Sequence, residues 1–195
     1  MTDPVLQPGG SAPFNMTILG EALVRRMTEI FADFRLPNDN PDVVVPANWN
    51  DPAADPAPVI PTMFESVTVY VGSIKSRARG ADGKEVEAKF PLVLVKPRAC
   101  TDDSAVDVDG AQRSLVQVDF MIGTRRIGND GYLDVTAMVE RIRTNLLRDP
   151  VIENRARMEL PLDIEIGDDE SFPQWFGVVS ARFNIPQPVE EIANE

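Results

Sequence analysis

Apolar and polar residues alternate most regularly near the end of the chain, from Phe172 to Pro186. Trp175, Gly177, Val179, Ala181, Phe183 and Ile185 fall on one side, Ser180, Arg182 and Asn184 on the other, and Pro173 and Pro186 bracket the run. A period of two predicts a strand with one buried face, closed by proline at each end. Two similar segments precede it. Phe64 to Ile74 sets Val67, Val69 and Val71 against Thr68 and Tyr70, and Ser114 to Gly123 sets Val116, Val118, Phe120 and Ile122 against Gln117 and Asp119. Phe90-Pro91-Leu92-Val93-Leu94-Val95-Lys96-Pro97 is instead a continuous apolar run, the pattern of a strand covered on both faces. Pro97 is expected to stop it. Leu160 to Ile166 predicts a further short strand.

Two segments switch to helical spacing. From Thr17 to Phe34, Leu19, Leu23, Met27, Ile30, Phe31 and Phe34 form an apolar stripe, and Glu21 precedes Arg25 by one helical turn. Its polar face is mixed rather than basic, which favours packing on a sheet over a membrane surface. From Tyr132 to Leu147, Val135, Met138, Val139, Ile142 and Leu146 form a second stripe, which Asp149-Pro150 ends.

The connections differ in kind. Pro4, Pro8, Gly9 and Gly10 make the start an unanchored arm. Between Leu36 and Pro61, seven prolines (Pro37, Pro41, Pro46, Pro52, Pro56, Pro58 and Pro61) exclude a helix or central strand. Trp49 and Val43-Val44-Val45 suit contact of this arm with a surface, such as a neighbouring subunit. Lys75 to Lys89, centred on Asp82-Gly83, reads as a hairpin tip. Val151 to Arg157 reads as a polar connection, and Gly167 to Ser171 as the turn into the closing strand. The sum is a single α+β domain over 1–195. It has an N-terminal arm at 1–15, a proline-rich arm at 36–61, and a sheet with the second helix in 62–188. The expected sheet is mixed, largely antiparallel, of about four to five strands with two helices on it, in the order α-β-β-β-α-β-β.

Composition narrows the chemistry. The 195 residues, 43% hydrophobic, suffice for one substantial core. No apolar run reaches the roughly 18 residues of a membrane span, and the start lacks a secretory leader pattern, so a soluble, cytosol-made protein without membrane contact is expected. A single cysteine, Cys100, leaves no intrachain disulfide, and the absence of histidine removes the commonest general base and zinc ligand. An enzyme would then need paired carboxylates, a lysine base or a magnesium site; no cofactor or metal is expected. A net charge of -12 opposes sequence-reading DNA binding.

Local motifs add little. Asp107-Val108-Asp109-Gly110 in the acidic loop from Thr101 to Gly110 resembles part of a calcium loop, but Ala105 occupies the first ligand position and Val116 the place of the bidentate glutamate. The loop Thr124-Arg125-Arg126-Ile127-Gly128-Asn129-Asp130-Gly131 lacks the phosphate-cradling and dinucleotide patterns. Asp163, Glu165, Asp168, Asp169 and Glu170 would have to carry an enzymatic reading. Solvation explains their clustering, and no convergent base or nucleophile accompanies them.

The run Phe90 to Pro97, the strand Val116 to Gly123, Asn129-Asp130-Gly131 before Asp134-Val135, Pro173-Gln174-Trp175-Phe176-Gly177 and Phe183-Asn184-Ile185-Pro186 together resemble the tail terminator and tail-completion proteins of long-tailed bacteriophages. The resemblance covers roughly Phe90 to Pro188 and, by position, the first helix; the proline-rich segment and the long connection around Asp82 depart from it. It implies a small subunit that forms a ring, usually hexameric, on the last ring of the tail tube. That ring would stop tube polymerisation and meet the neck or head-completion protein. It would assemble in the bacterial cytoplasm, take its place at the head-proximal end of the virion tail, and let genome DNA pass without specific binding. The alternatives are another head-tail junction or tail-tube protein, or a non-viral cytosolic adaptor. Candidate contact regions are Ser76 to Lys89, Thr124 to Gly131 and the proline-rich arm. Arg77, Arg79, Arg125 and Arg126 are their candidate interface residues, since arginine suits interface ion pairs. On its alternating strand Trp175 reads as a packing residue.

Overall fold

The computed structural model describes residues 14–39, 62–72, 88–106, 112–126, 130–167 and 173–187. Helix α1 (Met16–Ile30) starts where Asn15 Oδ1 accepts hydrogen bonds from the Thr17 and Ile18 amides at 3.0 and 3.1 Å, an N-cap that satisfies two otherwise orphaned donors. Phe14 is already buried, so the last residues of the expected 1–15 arm belong to the fold. The helix ends earlier than the apolar stripe. Arg141 Nε donates to the Ile30 carbonyl at 2.7 Å, its guanidinium lies 5.0 Å from the Phe34 ring centroid, and it pairs with Asp33. A cation on the last carbonyls suits the negative end of a helix. Because Arg141 belongs to α2 (Gly131–Arg148), the same contact ties the two helices together.

After α1 come β1 (Arg35–Asp39), β2 (Thr62–Ser66), β3 (Thr68–Val71), β4 (Leu92–Val106) and β5 (Gln112–Arg125). Helix α2, β6 (Val151–Ile152), β7 (Ala156–Ile166) and β8 (Gln174–Pro186) follow. The order is thus α-β-β-β-β-β-α-β-β-β. The α+β class and mixed sheet agree with expectation; the strand count and order do not. Six strands form one sheet, β3-β4-β5-β8-β7-β6, and β1 and β2 make a separate antiparallel pair. Pro37 is accommodated in that peripheral ribbon, away from any central position. Residues 40–61 lie outside the described residues.

Four departures have physical reasons. The expected strand Phe64 to Ile74 is divided at Val67, so that β2 joins the ribbon and β3 the main sheet. β3 pairs with β4 in parallel, Thr68 opposite Leu92 and Val71 opposite Val95, so these strands are not the arms of a hairpin. Parallel neighbours need a long crossover, for which the segment 72–91 has the length. Its central part, with Asp82-Gly83, Arg77 and Arg79, lies outside the described residues.

Third, β4 does not stop at Pro97 but runs to Val106, with a ladder shift between Pro97 and Ala99. Gly72 donates its amide to the Val95 carbonyl at 2.9 Å; by alternation the backbone groups of Pro97 face the same sheet edge, where a missing N–H removes no bond to β5. The first part of the expected acidic loop, Thr101 to Val106, is therefore strand. Fourth, Val151 to Arg157 is a tight hairpin of β6 and β7, turning through Glu153 and Asn154 at φ 49° and 55°. Left-handed conformation at both turn positions matches the twist of the strands. Glu153 carries it while paired with Arg25 at 2.6 Å, which holds the turn to α1.

Both helices pack on one face of the sheet. The core unites Leu19, Leu23 and Met27 of α1 with Val135, Met138 and Ile142 of α2. They meet Val93, Val95, Val116, Val118, Phe120, Ile122, Val179, Ala181, Phe183 and Ile185 of the strands. β8 alternates as its sequence predicts, with Trp175, Gly177, Val179, Ala181, Phe183 and Ile185 buried. Gly177 is required by the close approach of α2, since a Cβ there would lie 2.8 Å from Val135 Cγ1. Among the described residues, no helix is long and apolar enough to cross a membrane.

Candidate subunit interface

The face of the sheet opposite the helices has two halves. At the β3 end it is apolar: Leu92 and Leu94 of β4, Met121 of β5, and Phe176 and Val178 of β8 stand in register. Leu92 and Leu94 are buried, whereas Met121 and Phe176 are each 37% exposed. Phe90 and Phe176 meet edge to face, with centroids 6.2 Å apart. They do so over Gly123, where a Cβ would come within 2.9 Å of the Phe90 ring. Thus a glycine in a long alternating strand lets two aromatic rings lie across the face.

The other half is polar and organised by Asp119. Its carboxylate accepts from Arg98 Nε at 2.6 Å and from Ser180 Oγ at 2.8 Å. Asp119 is 4% exposed although it points away from the core. A carboxylate so enclosed needs these donors, because burying an unpaired charge is expensive. Lys96 stands opposite Asp119 on β4, and Asp163 opposite Ser180 on β7, so one row across the sheet reads Lys96, Asp119, Ser180, Asp163. Glu165 and Glu159 share the face of Asp163.

Among the described residues, neither edge strand covers its neighbour over the neighbour's whole length. Among the described residues, β3 pairs with β4 only as far as Val95, and β6 pairs with β7 only at Ala156 and Arg157. Beyond those points β4 carries exposed Arg98, Ala99, Cys100 and Thr101. β7 carries Leu160, 69% exposed, and Ile164, 40% exposed, beside exposed Asp163 and Glu165. The unpaired N–H and C=O groups of such edges can pair with another chain, and charged residues, proline and bulges along them restrict which pairings form.

Of the four arginines picked out from the sequence, Arg125 and Arg126 lie among the described residues, at the end of β5 and just beyond it. The Arg126 side chain is 17% exposed and sits 3.4 Å from Asp130 and 3.6 Å from Asp134. Its carbonyl accepts from Trp175 Nε1 at 3.1 Å, and its amide donates to the Pro173 carbonyl at 2.9 Å. Gly131, the first residue of α2, lies so close to Trp175 that a Cβ would be 2.1 Å from its ring. Arg126 therefore joins β5, the start of α2 and the start of β8. Its guanidinium has both acidic partners within the subunit.

The residues that shape the open face and edges, Lys96, Arg98, Asp119, Ser180, Phe176 and Leu160, were not singled out from the sequence. The polar residues on β5 and β8 read there as ordinary solvent-facing positions. Asp163 and Glu165 are exposed neighbours on one strand face, and Asp168 to Glu170 lie outside the described residues. Among the described residues, no group of three His, Cys, Asp or Glu side chains is placed to hold a metal ion. No protein-family model matches the chain, and no curated protein matches it.

Proposed function

We propose that the protein is a ring-forming structural subunit, and specifically a tail terminator of a long-tailed bacteriophage. In this role a ring of subunits, six by the resemblance, sits on the last ring of the tail tube. It ends tube growth, offers a surface to the neck or head-completion protein, and leaves a central passage for DNA.

The observation that carries the reading is the asymmetry of the sheet. One face is closed by both helices, while the other face and long stretches of both edges expose apolar and charged side chains. Such a subunit can repeat one heterologous contact around an axis, and closure of that repeat gives a ring. The segments that carry the family resemblance supply this sheet: β4, β5, the start of α2 and β8. The acidic chain suits a passage that must not retain DNA.

Infection by phage lacking the protein tests the role. Over-long tails are the expected result. Headless tails of normal length would point instead to a head-completion or neck protein, and absence of tubes to a tail-tube subunit. An unchanged yield of complete virions would leave the non-viral adaptor.

A further inference from the structure

We infer that neighbouring copies join edge to edge, the free part of β4 in one subunit pairing antiparallel with the free part of β7 in the next. This deepens the ring reading and rests on it. The occupant of each edge is thus a second copy of this chain, matched to it in direction, register and charge.

Direction comes first. β4 and β5, β5 and β8, and β8 and β7 are all antiparallel pairs, so β7 runs opposite to β4. Laying the β7 edge of one copy against the β4 edge of the next continues the antiparallel alternation without turning either sheet over. The helices of both copies then stay on the same side.

Register follows from where the edges begin. β3 occupies the side of β4 up to Val95, and β7 ends at Ile166. A partner strand entering where β3 stops sets Lys96 beside Glu165 and Arg98 beside Asp163. The backbone agrees. Gly167 donates to the Phe176 carbonyl of β8 at 2.9 Å, so by alternation the groups of Ile164 and Ile166 face the free edge, as those of Pro97 do on β4. The Ile164 amide then has the Pro97 carbonyl to donate to, a pairing that does not need the N–H proline lacks.

Charge completes it. Lys96 and Arg98 project from the helix-free face at one edge, and Asp163 and Glu165 project from that same face at the other. Within this stretch one edge carries Lys96 and the half-exposed Arg98, which Asp119 of its own subunit shares with Asp163 of the next, and the other edge carries Asp163 and Glu165, a complementary arrangement between copies that repels in the wrong orientation. Pro97 and the ladder irregularities in β4 and β7 weaken the ladder beyond this stretch, as proteins do to prevent uncontrolled edge association, while the exposed continuations of the two strands, from Ala99 in β4 and back to Leu160 in β7, still lie side by side.

Charge exchange tests the inference, with oligomer mass followed against concentration and the melting temperature recorded for each variant. Glu165→Lys and Lys96→Glu should each raise the concentration needed for half-assembly by about tenfold or more, and the double variant should recover most of that loss. Cys100 gives a second measurement independent of those charges. In the same register Cys100 falls beside Pro161, so Leu160→Cys places a thiol on the exposed β7 edge one residue from the position opposite it. Within one chain β4 and β7 are separated by β5 and β8, roughly 14 Å at the usual strand spacing, beyond the reach of a disulfide, which needs Cα atoms within about 7 Å. Mild oxidation of assembled L160C should therefore give a ladder of covalent multimers that is absent from the parent protein. Rings whose assembly midpoint is unmoved by both charge reversals overturn the edge pairing and leave the ring reading standing, as do L160C rings that form no inter-subunit disulfide. A parent protein that stays monomeric at every concentration overturns both.

Discussion

The two faces of the main sheet are built from the same strands yet differ in what covers them. On the helix side, Val116, Val118, Phe120 and Ile122 of β5 are fully buried against α1 and α2. On the opposite side, residues of the same strand go from Leu115 and Gln117 through enclosed Asp119 to half-exposed Met121. One face stabilises the subunit; the other carries apolar and charged side chains that the helices leave uncovered. Burial on the second face varies residue by residue: Asp119 is as hidden as many core residues and is polar.

Substitutions should separate the faces. The largest effect is expected in the core, where Phe120→Ala or Phe183→Ala removes a fully buried ring and should destabilise the subunit by about 3–5 kcal/mol in chemical denaturation. Next comes Gly131→Ala, whose Cβ must displace the Trp175 ring. Overpacking of this kind costs about 1–3 kcal/mol, visible as a lowered denaturation midpoint with a shift in tryptophan emission. Asp119→Ala is the exception on the open face: it leaves Arg98 and Ser180 without their shared acceptor and should cost about 1–3 kcal/mol. Met121→Ser, by contrast, should change monomer stability by less than about 1 kcal/mol while weakening assembly, measured by sedimentation. A stability loss as large as that of Phe120→Ala would show the open face to be core.

The smallest expected effect concerns Cys100. Local desolvation, and then the Asp102 carboxylate beside it, raise the thiol above its ordinary pKa, against a smaller opposing effect of Ser114. The thiolate is therefore scarcer at neutral pH, and alkylation should be slower than that of a free thiol and accelerate as pH rises. Asp102→Asn should lower the pKa and speed the reaction near neutrality.

Much of this contrast was legible in the sequence where one face is uniformly apolar. The closing strand, β5 and α2 follow their periodicities closely, because burial against a helix enforces strict alternation or a helical stripe. The misreadings occur where pairing, not pattern, decides. Nothing local in Thr68 to Val71 distinguishes a parallel neighbour from an antiparallel one. Pro97 signals an end to a strand, and only its orientation toward a sheet edge makes it harmless. β6 is two residues long, too short to alternate. The ion pairs of Arg126 were not legible either, because its partners, Asp130 and Asp134, become neighbours only when α2 starts beside β5. Their acidic spacing after a basic residue was the available signal. Likewise Asp119, flanked by Val118 and Phe120, read as solvent-facing until Arg98 and Ser180 closed over it.

The most direct measurement of the central claim is an electron micrograph of the purified, full-length protein at concentrations spanning dilute to near millimolar. Closed rings of uniform diameter with a central hole are the expected result. A strictly monomeric particle, or one that polymerises into open filaments without closure, would contradict the account.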